Sequence, residues 1–226
     1  MIIVVLGPPG SGKGTRARLI GQMCQVPLIV MGDILRDAVS EGSEEGKRAK
    51  GYMERGELVP DDLVIGLLEE KLRRLNLKRG FVLDGFPRNL KQAEALDHIL
   101  RDEGADIDLV LNVVVKDDVI VERLSLRRSC PHCGAIYHLK DKPPLKDEIC
   151  DECGSRLIQR SDDREDVIRH RIMVYYKETK PVLDRYIKMG KVVEISGELM
   201  IDKIPDELKK ILHERRLFPV DKLTIK

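Results

Sequence analysis

Five short apolar runs punctuate the chain: Ile2-Ile3-Val4-Val5-Leu6, Pro27-Leu28-Ile29-Val30, Phe81-Val82-Leu83, Leu109 to Val115, and Val192-Val193-Glu194-Ile195. Apolar residues in continuous rather than alternating order suit parallel strands covered on both faces. Between the runs the pattern changes to a helical period. Arg16 to Met23 continues as a helix behind the first run. Val64, Leu67, Leu68, Leu72 and Leu75 trace a helix that opens at Pro60-Asp61-Asp62 and stops at Gly80. Leu90 to Leu100 forms another, with Gln92 in its first turn, and Val119 to Leu126 a third that runs into Arg127-Arg128. Asp162-Asp163 opens a long helix whose face is Val167, Ile168, Ile172, Tyr175, Thr179, Val182, Leu183 and Tyr186, with a kink expected at Pro181. Pro205 to His213 is a last helix, and the tail from Arg215 predicts no element.

Two stretches depart from this rhythm. After the second run, Asp33 is placed to cap a helix over Ile34 to Val39, and Ser43 to cap a second, short one. The segment 41–55 is polar and interrupted by Gly42, Gly46 and Gly51, which predicts a small mobile helical insertion rather than a core layer. Cys130 to Cys153 has four cysteines, Pro143-Pro144 and no helical period. The remaining alternation of strand and helix predicts an α/β fold, a parallel sheet of five strands with helices on both faces.

Composition narrows the partners. The 226 residues suffice for a substantial core and one α/β domain with insertions. Lys and Arg (40) balance Asp and Glu (39), so no global field draws the chain to nucleic acid or an anionic membrane. A bound polyanion must be held by locally placed cations. No apolar run is long enough to span a bilayer, and the first has no basic region before it, as a signal peptide would. A cytoplasmic protein is expected, its five cysteines being reduced thiols or metal ligands.

The chemistry is concentrated at the end of the first run, in Gly7-Pro8-Pro9-Gly10-Ser11-Gly12-Lys13-Gly14-Thr15. Strand, glycine-rich loop, Lys and helix together define a phosphate loop. Glycines let successive N–H groups point inward as an anion nest, and the helix N-terminus adds its partial positive charge. Lys13 supplies an ammonium for outer phosphates. The residue after it is Gly14, so the hydroxyl falls one place later, at Thr15. Asp84 closes the third run and is placed to hold Mg²⁺ through its waters. Arg36, Arg88, Arg123, Arg127, Arg160 and Arg171 lie at strand ends, in the insertion and at both edges of the cysteine segment, from which guanidinium forks can converge on phosphates.

Cys130-Pro-His-Cys133 and Cys150-Asp-Glu-Cys153 are two Cys-x-x-Cys knuckles. Together they close a tetrahedral Zn²⁺ site with no open position, which makes it structural. His132 and His138 are the competing ligands, and iron suits the same four sulfurs. Cys24, without a partner, reads as a small buried hydrophobe. A zinc ribbon serving nucleic acid would need a more basic segment with more aromatics than Tyr137 alone.

Gly7 to Thr15, Gly32-Asp33-x-Leu35-Arg36, Asp84-Gly85-Phe86-Pro87-Arg88-x-x-x-Gln92 and Arg160-x-Asp162-Asp163 with Arg171 resemble the adenylate kinase family, along the chain from Met1 to about Leu212. The four cysteines fall in the segment that the family calls the LID, as in its zinc-bearing members. The resemblance implies ATP + AMP ⇌ 2 ADP with Mg²⁺, a monomer, and three parts: a core of residues 1–29, 60–126 and 164–226, a nucleoside-monophosphate-binding insertion of residues 30–59, and a LID of residues 127–163. It implies that Gly10, Ser11, Gly12, Lys13, Gly14 and Thr15 hold the ATP phosphates. Arg123, Arg127, Ile136, Tyr137 and the Leu199 backbone would also serve ATP. Arg36, Arg88, Arg160 and Arg171 would clamp the AMP phosphate and the group in transfer, beside Asp84. Gly85, Phe86, Pro87 and Gln92 would read the adenine, and Met31, Glu57, Leu58 and Val59 would line its pocket. Met31 stands where family members acting on AMP have Thr, and a thioether is at best a weak acceptor. A pyrimidine or relaxed-specificity nucleoside monophosphate is therefore the alternative acceptor. Outside this class, a nucleotide-gated zinc-ribbon interaction protein would bind ATP without forming ADP from AMP, and an ATPase would release phosphate without any monophosphate.

Overall fold

The computed structural model describes residues 1–75 and 79–217. The five apolar runs form one parallel sheet: β1 (Ile2–Leu6), β2 (Leu28–Val30), β3 (Phe81–Asp84), β4 (Leu109–Val114) and, last in the chain, β7 (Val192–Ser196). Their spatial order is β2-β3-β1-β4-β7. β1 is central, pairing with β3 from Ile2 against Phe81 and with β4 from Ile3 against Leu109. Its side chains alternate between two cores. Ile2, Val4 and Leu6 join one with Leu68, Leu72, Leu96, Leu100 and Tyr186, while Ile3 and Val5 join the other with Ile20, Met23, Leu208 and Ile211. Each such residue, fully buried, contributes about 1.5–3 kcal/mol.

The helices follow. α1 (Lys13–Cys24) and α9 (Ile204–Glu214) cover one face; α4 (Asp61–Arg73), α5 (Leu90–Asp102) and α8 (Lys180–Lys188) cover the other. The helix predicted as far as Gly80 ends at Arg73, and residues 76–78 of that expectation lie outside those described. From β1 the chain crosses toward β2 and β3, and β4 then returns to the opposite side of β1. That reversal opens a crevice at the carboxyl ends of β1, β3 and β4, where ligands of open α/β sheets bind. The loop Gly7–Gly12 stands there.

Several local expectations are corrected. Asp33 does not cap a helix: α2 (Met31–Glu41) begins directly at Met31 after Val30, and Asp33 sits in its first turn. Ser43 does cap α3 (Glu44–Arg55), its Oγ accepting from the Gly46 N–H at 3.0 Å. Gly46 does not interrupt α3. It lets α2 approach, since a Cβ there would lie 2.0 Å from the Ala38 carbonyl oxygen. α6 (Asp117–Ser125) stops before Arg127-Arg128, which instead begin β5 (Arg127–Ser129), paired antiparallel with β6 (Ile136–His138). These three-residue strands are pinned by the cysteine knuckles around them rather than by an apolar pattern, so periodicity could not find them. Asp162 and Asp163 lie in a 3₁₀ turn, and the helix starts at Glu165 as α7 (Glu165–Val174). One π turn, Tyr175–Thr179, joins α7 to α8. Pro181 falls in the first turn of α8. The helical run thus accommodates the proline, which has no N–H to donate, by widening a turn before it instead of ending.

Candidate active site

The loop after β1 turns on Gly7, Gly10 and Gly12 with φ of 148°, 73° and 85°, the last as N-cap of α1. Successive N–H groups can therefore face the crevice ahead of the helix N-terminus. Lys13, first residue of α1, is half-buried, and its Nζ donates to the Pro8 carbonyl at 3.3 Å. Burial lowers it to about 8, with the Asp84 carboxylate opposing and Arg88, Arg171 and Arg127 reinforcing the fall. Gly14 has a local reason: a Cβ there would come within 3.2 Å of Asp84 Oδ2. Asp84 is 6% exposed at the end of β3, and burial raises its pKa against the pull of Lys13. Its Oδ1 and the Ser11 hydroxyl are both buried without a hydrogen-bond partner. An orphaned carboxylate oxygen beside a phosphate loop fits a hydrated Mg²⁺, which coordinates oxygen and keeps several waters.

Beyond Asp84 the chain turns through Gly85, at φ 79°, and a cis Phe86–Pro87 bond to Arg88. Phe86 is fully buried in the core. Arg88 Nε donates to the Gly85 carbonyl at 2.9 Å, and its backbone N–H to Gln92 Oε1 at 2.8 Å. Gln92 Nε2 donates to Asp61 Oδ1 at 2.9 Å, so both ends of that amide are oriented. Burial and the neighbouring Arg171 lower Arg88 to about 10.

Two cavities meet at this point. One runs past Gly7, Pro9, Lys13, Pro87 and Tyr175; the other runs past Met31, Arg36, Glu57, Val59 and Gln92. Gly56, Leu58, Gly85, Arg88 and Arg171 line both. Met31 is 1% exposed and belongs to the core behind the second cavity. Glu57 is ion-paired with Arg55 at 2.7 Å.

The arginines gather around the same place. Arg127 forks onto Asp163, Nε at 2.8 Å and Nη2 at 2.6 Å. Arg171 reaches Asp162 Oδ2 at 2.9 Å and Asp163 Oδ1 at 3.5 Å. Arg160 donates to the Ser129 hydroxyl at 2.8 Å, and Arg36 pairs with Asp33. Burial, then Arg127 and Arg36, bring Arg160 down to about 9; burial likewise lowers Arg171. These cations repel one another across the cavities, a field that a multivalent anion would relieve. Arg123 stands apart, donating to the Gly197 carbonyl at 2.9 Å.

The Tyr137 side chain lies inside the cysteine lobe with Cys130, Cys150 and Leu157. Ile136 is exposed on β6, and Leu199 packs against the core of α1 and α9. Thr179 carried no signal beyond its place on a helix face. In the π turn it is aimed at the crevice, its hydroxyl donating to the Arg88 carbonyl at 2.8 Å, and with Val174 and Tyr175 it walls the first cavity.

In the lobe the four cysteine sulfurs lie within 4.8 Å of one another. The knuckles repeat one geometry: Gly134 N–H donates to Cys130 O and Gly154 N–H to Cys150 O, at 3.1 and 2.9 Å. Sulfur separations of 3.4 and 3.5 Å approach the edge, about 3.8 Å, of a tetrahedron with ~2.3 Å metal–sulfur bonds. The Tyr137 hydroxyl lies 3.5 Å from the Cys150 sulfur and lowers that thiol, while Cys133 in the same cluster is raised; a metal would take all four as thiolates. His138 Nδ1 is occupied by Asp141 at 3.1 Å and lies outside the cluster. The group can hold a metal ion and leaves no ligand position open. Cys24 is buried, its thiol pushed up to about 11 by that burial.

A parallel sheet of this order, with a phosphate loop after its central strand and two joined cavities lined by cations, defines a P-loop nucleotide-binding phosphotransferase. Among the described residues no helix is long and apolar enough to cross a membrane. Residues 5–191 match the adenylate kinase family, and the chain belongs to it. It is 47% identical over 214 residues to an adenylate kinase of Archaeoglobus fulgidus, covering 95% of this chain and 99% of that one. It is 46% identical over 217 residues to that of Caldanaerobacter subterraneus, covering 96% and 98%. With that of Methanothrix thermoacetophila the identity is 48% over 212 residues, covering 94% and 98%.

Proposed function

We propose that the protein catalyses reversible, Mg²⁺-dependent phosphoryl transfer between ATP and AMP, giving two ADP. The observation that carries this reading is the meeting of two cavities at Arg88 and Arg171, one running along the phosphate loop and the other past Gln92. Gly10 to Thr15 hold the donor phosphates, with Arg123 and Arg127. Arg36, Arg88, Arg160 and Arg171 hold the acceptor phosphate and the group in transfer. Gln92, whose amide is fixed by Asp61 and Arg88, faces the acceptor base with Gly85, Met31, Leu58 and Val59 around it. Met31 offers an apolar surface there, and the adenylate kinase name carried by the relatives favours AMP over a pyrimidine acceptor.

No protein nucleophile or general base is required, because the attacking acceptor phosphate is already an anion. What the chain must supply is position and charge. Lys13 and the arginines are preorganised at the reacting centre, where removal from water strengthens them. Asp84 would hold a Mg²⁺ through its waters, and that ion supplies further charge neutralisation on the phosphates. Residues 30–59 act as a cover over AMP and residues 127–163 as a cover over ATP, excluding the water that would otherwise hydrolyse it. Cys130, Cys133, Cys150 and Cys153 hold structural Zn²⁺, which stiffens a lobe whose own apolar core is only Tyr137, Leu157 and their neighbours.

The test offers ATP and Mg²⁺ with AMP, CMP, UMP and GMP in turn, following nucleoside diphosphate and free phosphate. ADP formation with AMP well above the other acceptors is expected. Equal use of CMP or UMP would move the acceptor assignment, and phosphate release without an acceptor would contradict the reaction.

A further inference from the structure

Arg16, in the first turn of α1, heads the fully buried side chains of the described residues by size, at 1% exposure. Among the described residues it has carbonyl partners and no acid. Nη1 donates to Gly12 O at 3.2 Å, Nη2 donates to Ser196 O at 2.6 Å, and Nε has no partner. Burial and a second cation, Arg123, lower it to about 10, so it keeps its charge at neutral pH. A buried charge without a counter-ion is expensive. Among the described residues only these two carbonyls offset that cost.

What Arg16 faces is the back of the phosphate loop. A Cβ on Gly12 would lie 2.8 Å from its Nη1. The end of β7 presses on the loop from the same side: a Cβ on Gly197 would lie 2.6 Å from Ser11 O, and Arg123 holds the Gly197 carbonyl. Loop, α1 and β7 are therefore stitched together behind the anion nest, and the stitch carries positive charge.

We propose that Arg16 is a positioning residue of the donor-phosphate site, fixing the loop to the end of β7 and supplying through it a buried charge that the donor phosphates neutralise. This rests on the reading of the loop as the ATP site. Donation into the Gly12 carbonyl polarises the Gly12–Lys13 peptide, so the Lys13 N–H at the head of α1 becomes a stronger donor to phosphate. The guanidinium adds its field at short range from a buried position of low effective dielectric. The electrostatic cost carried by the free protein is recovered when the donor binds. The acceptor, beyond Arg88, gains little.

Arg16→Lys, Arg16→Gln and Arg16→Met test this by separate calorimetric titrations with ATP and with AMP, and by thermal midpoints with and without ATP. Gln and Met are expected to raise the ATP dissociation constant at least tenfold, about 1.4 kcal/mol. AMP affinity should stay within twofold, and the ATP-free midpoint should equal or exceed that of the parent. Lys should recover most of the ATP affinity. Unchanged ATP affinity in the Gln variant, which keeps a donor and loses the charge, would overturn the proposal. So would equal weakening of ATP and AMP, or failure of all three variants to fold, since either makes the role purely structural. If the parent itself bound no ATP, the donor-site reading would fail instead, and the two failures are thereby separate.

Discussion

At the level of single residues, the site is a set of cations held below their ordinary pKa. Lys13 is the clearest case, at about 8 against 10.5, and burial is the chief cause. Because the folded value lies below the unfolded one, the unfolded chain binds more protons between those limits. Lys13 therefore destabilises the nucleotide-free fold below pH 8, and this cost is relieved as pH rises toward 10.5. ATP reverses the shift, since phosphate favours the ammonium. Binding near pH 8.5 should draw a proton from solution, visible as a calorimetric heat that varies with the ionisation enthalpy of the buffer. Lys13→Met should remove most of that uptake and lower turnover by roughly 10³-fold or more with the fold intact; buffer-independent heats in the parent, or retained turnover in the variant, would contradict the role. Much of this was legible in the chain. A loop of Gly7 to Thr15 between an apolar run and a helix admits few other uses, and Asp84 and Arg88 stood at a strand end. Arg16 was not legible, because a charged residue inside a helix reads as solvent-facing until the end of β7 is seen to cover it.

At the level of elements, the sheet and its helices were readable, and in the lobe the cysteine knuckles were but the short strands were not. Parallel strands buried on both faces announce themselves as apolar runs. β5 and β6 are three residues each, and their stability comes from sulfur chemistry and a few bridges such as Ser129 to Ile158. The same reasoning fixes what a metal bound by the four cysteines would do there. With four thiolates and no open position it cannot take part in phosphoryl transfer, so its loss should act on stability. Cys150→Ser is expected to lower the thermal midpoint, by about 6–12 °C if ~3 kcal/mol is lost in a chain of this size. Turnover at low temperature should remain mostly intact. Thermal scanning beside a low-temperature assay decides it: abolished activity at unchanged stability would show that the sulfur is needed for the reaction itself. The π turn marks the limit of pattern reading in the core. The stripe from Val167 to Tyr186 predicted one helix correctly in outline. Only the structure reveals that the widened turn before Pro181 aims Thr179 at Arg88.

For the molecule as a whole, three charge-bearing parts converge on one crevice: the loop after β1, the turn after β3, and the segment from Asp162 to Arg171. Their cations are lowered by burial and by one another, which prepares the crevice for more negative charge than one phosphate group carries. A site for two nucleotides, donor on the loop and acceptor beyond Arg88, accounts for that excess. A site for ATP alone leaves the cavity at Met31, Leu58 and Gln92 without an occupant. The most direct measurement is a single turnover with ATP labelled in the γ-phosphate, Mg²⁺ and AMP, followed by separation of the nucleotides. All transferred label is expected in the ADP made from AMP, with none in inorganic phosphate and no consumption of ATP when AMP is withheld. Label appearing in inorganic phosphate at the same rate with or without AMP would contradict the two-nucleotide site.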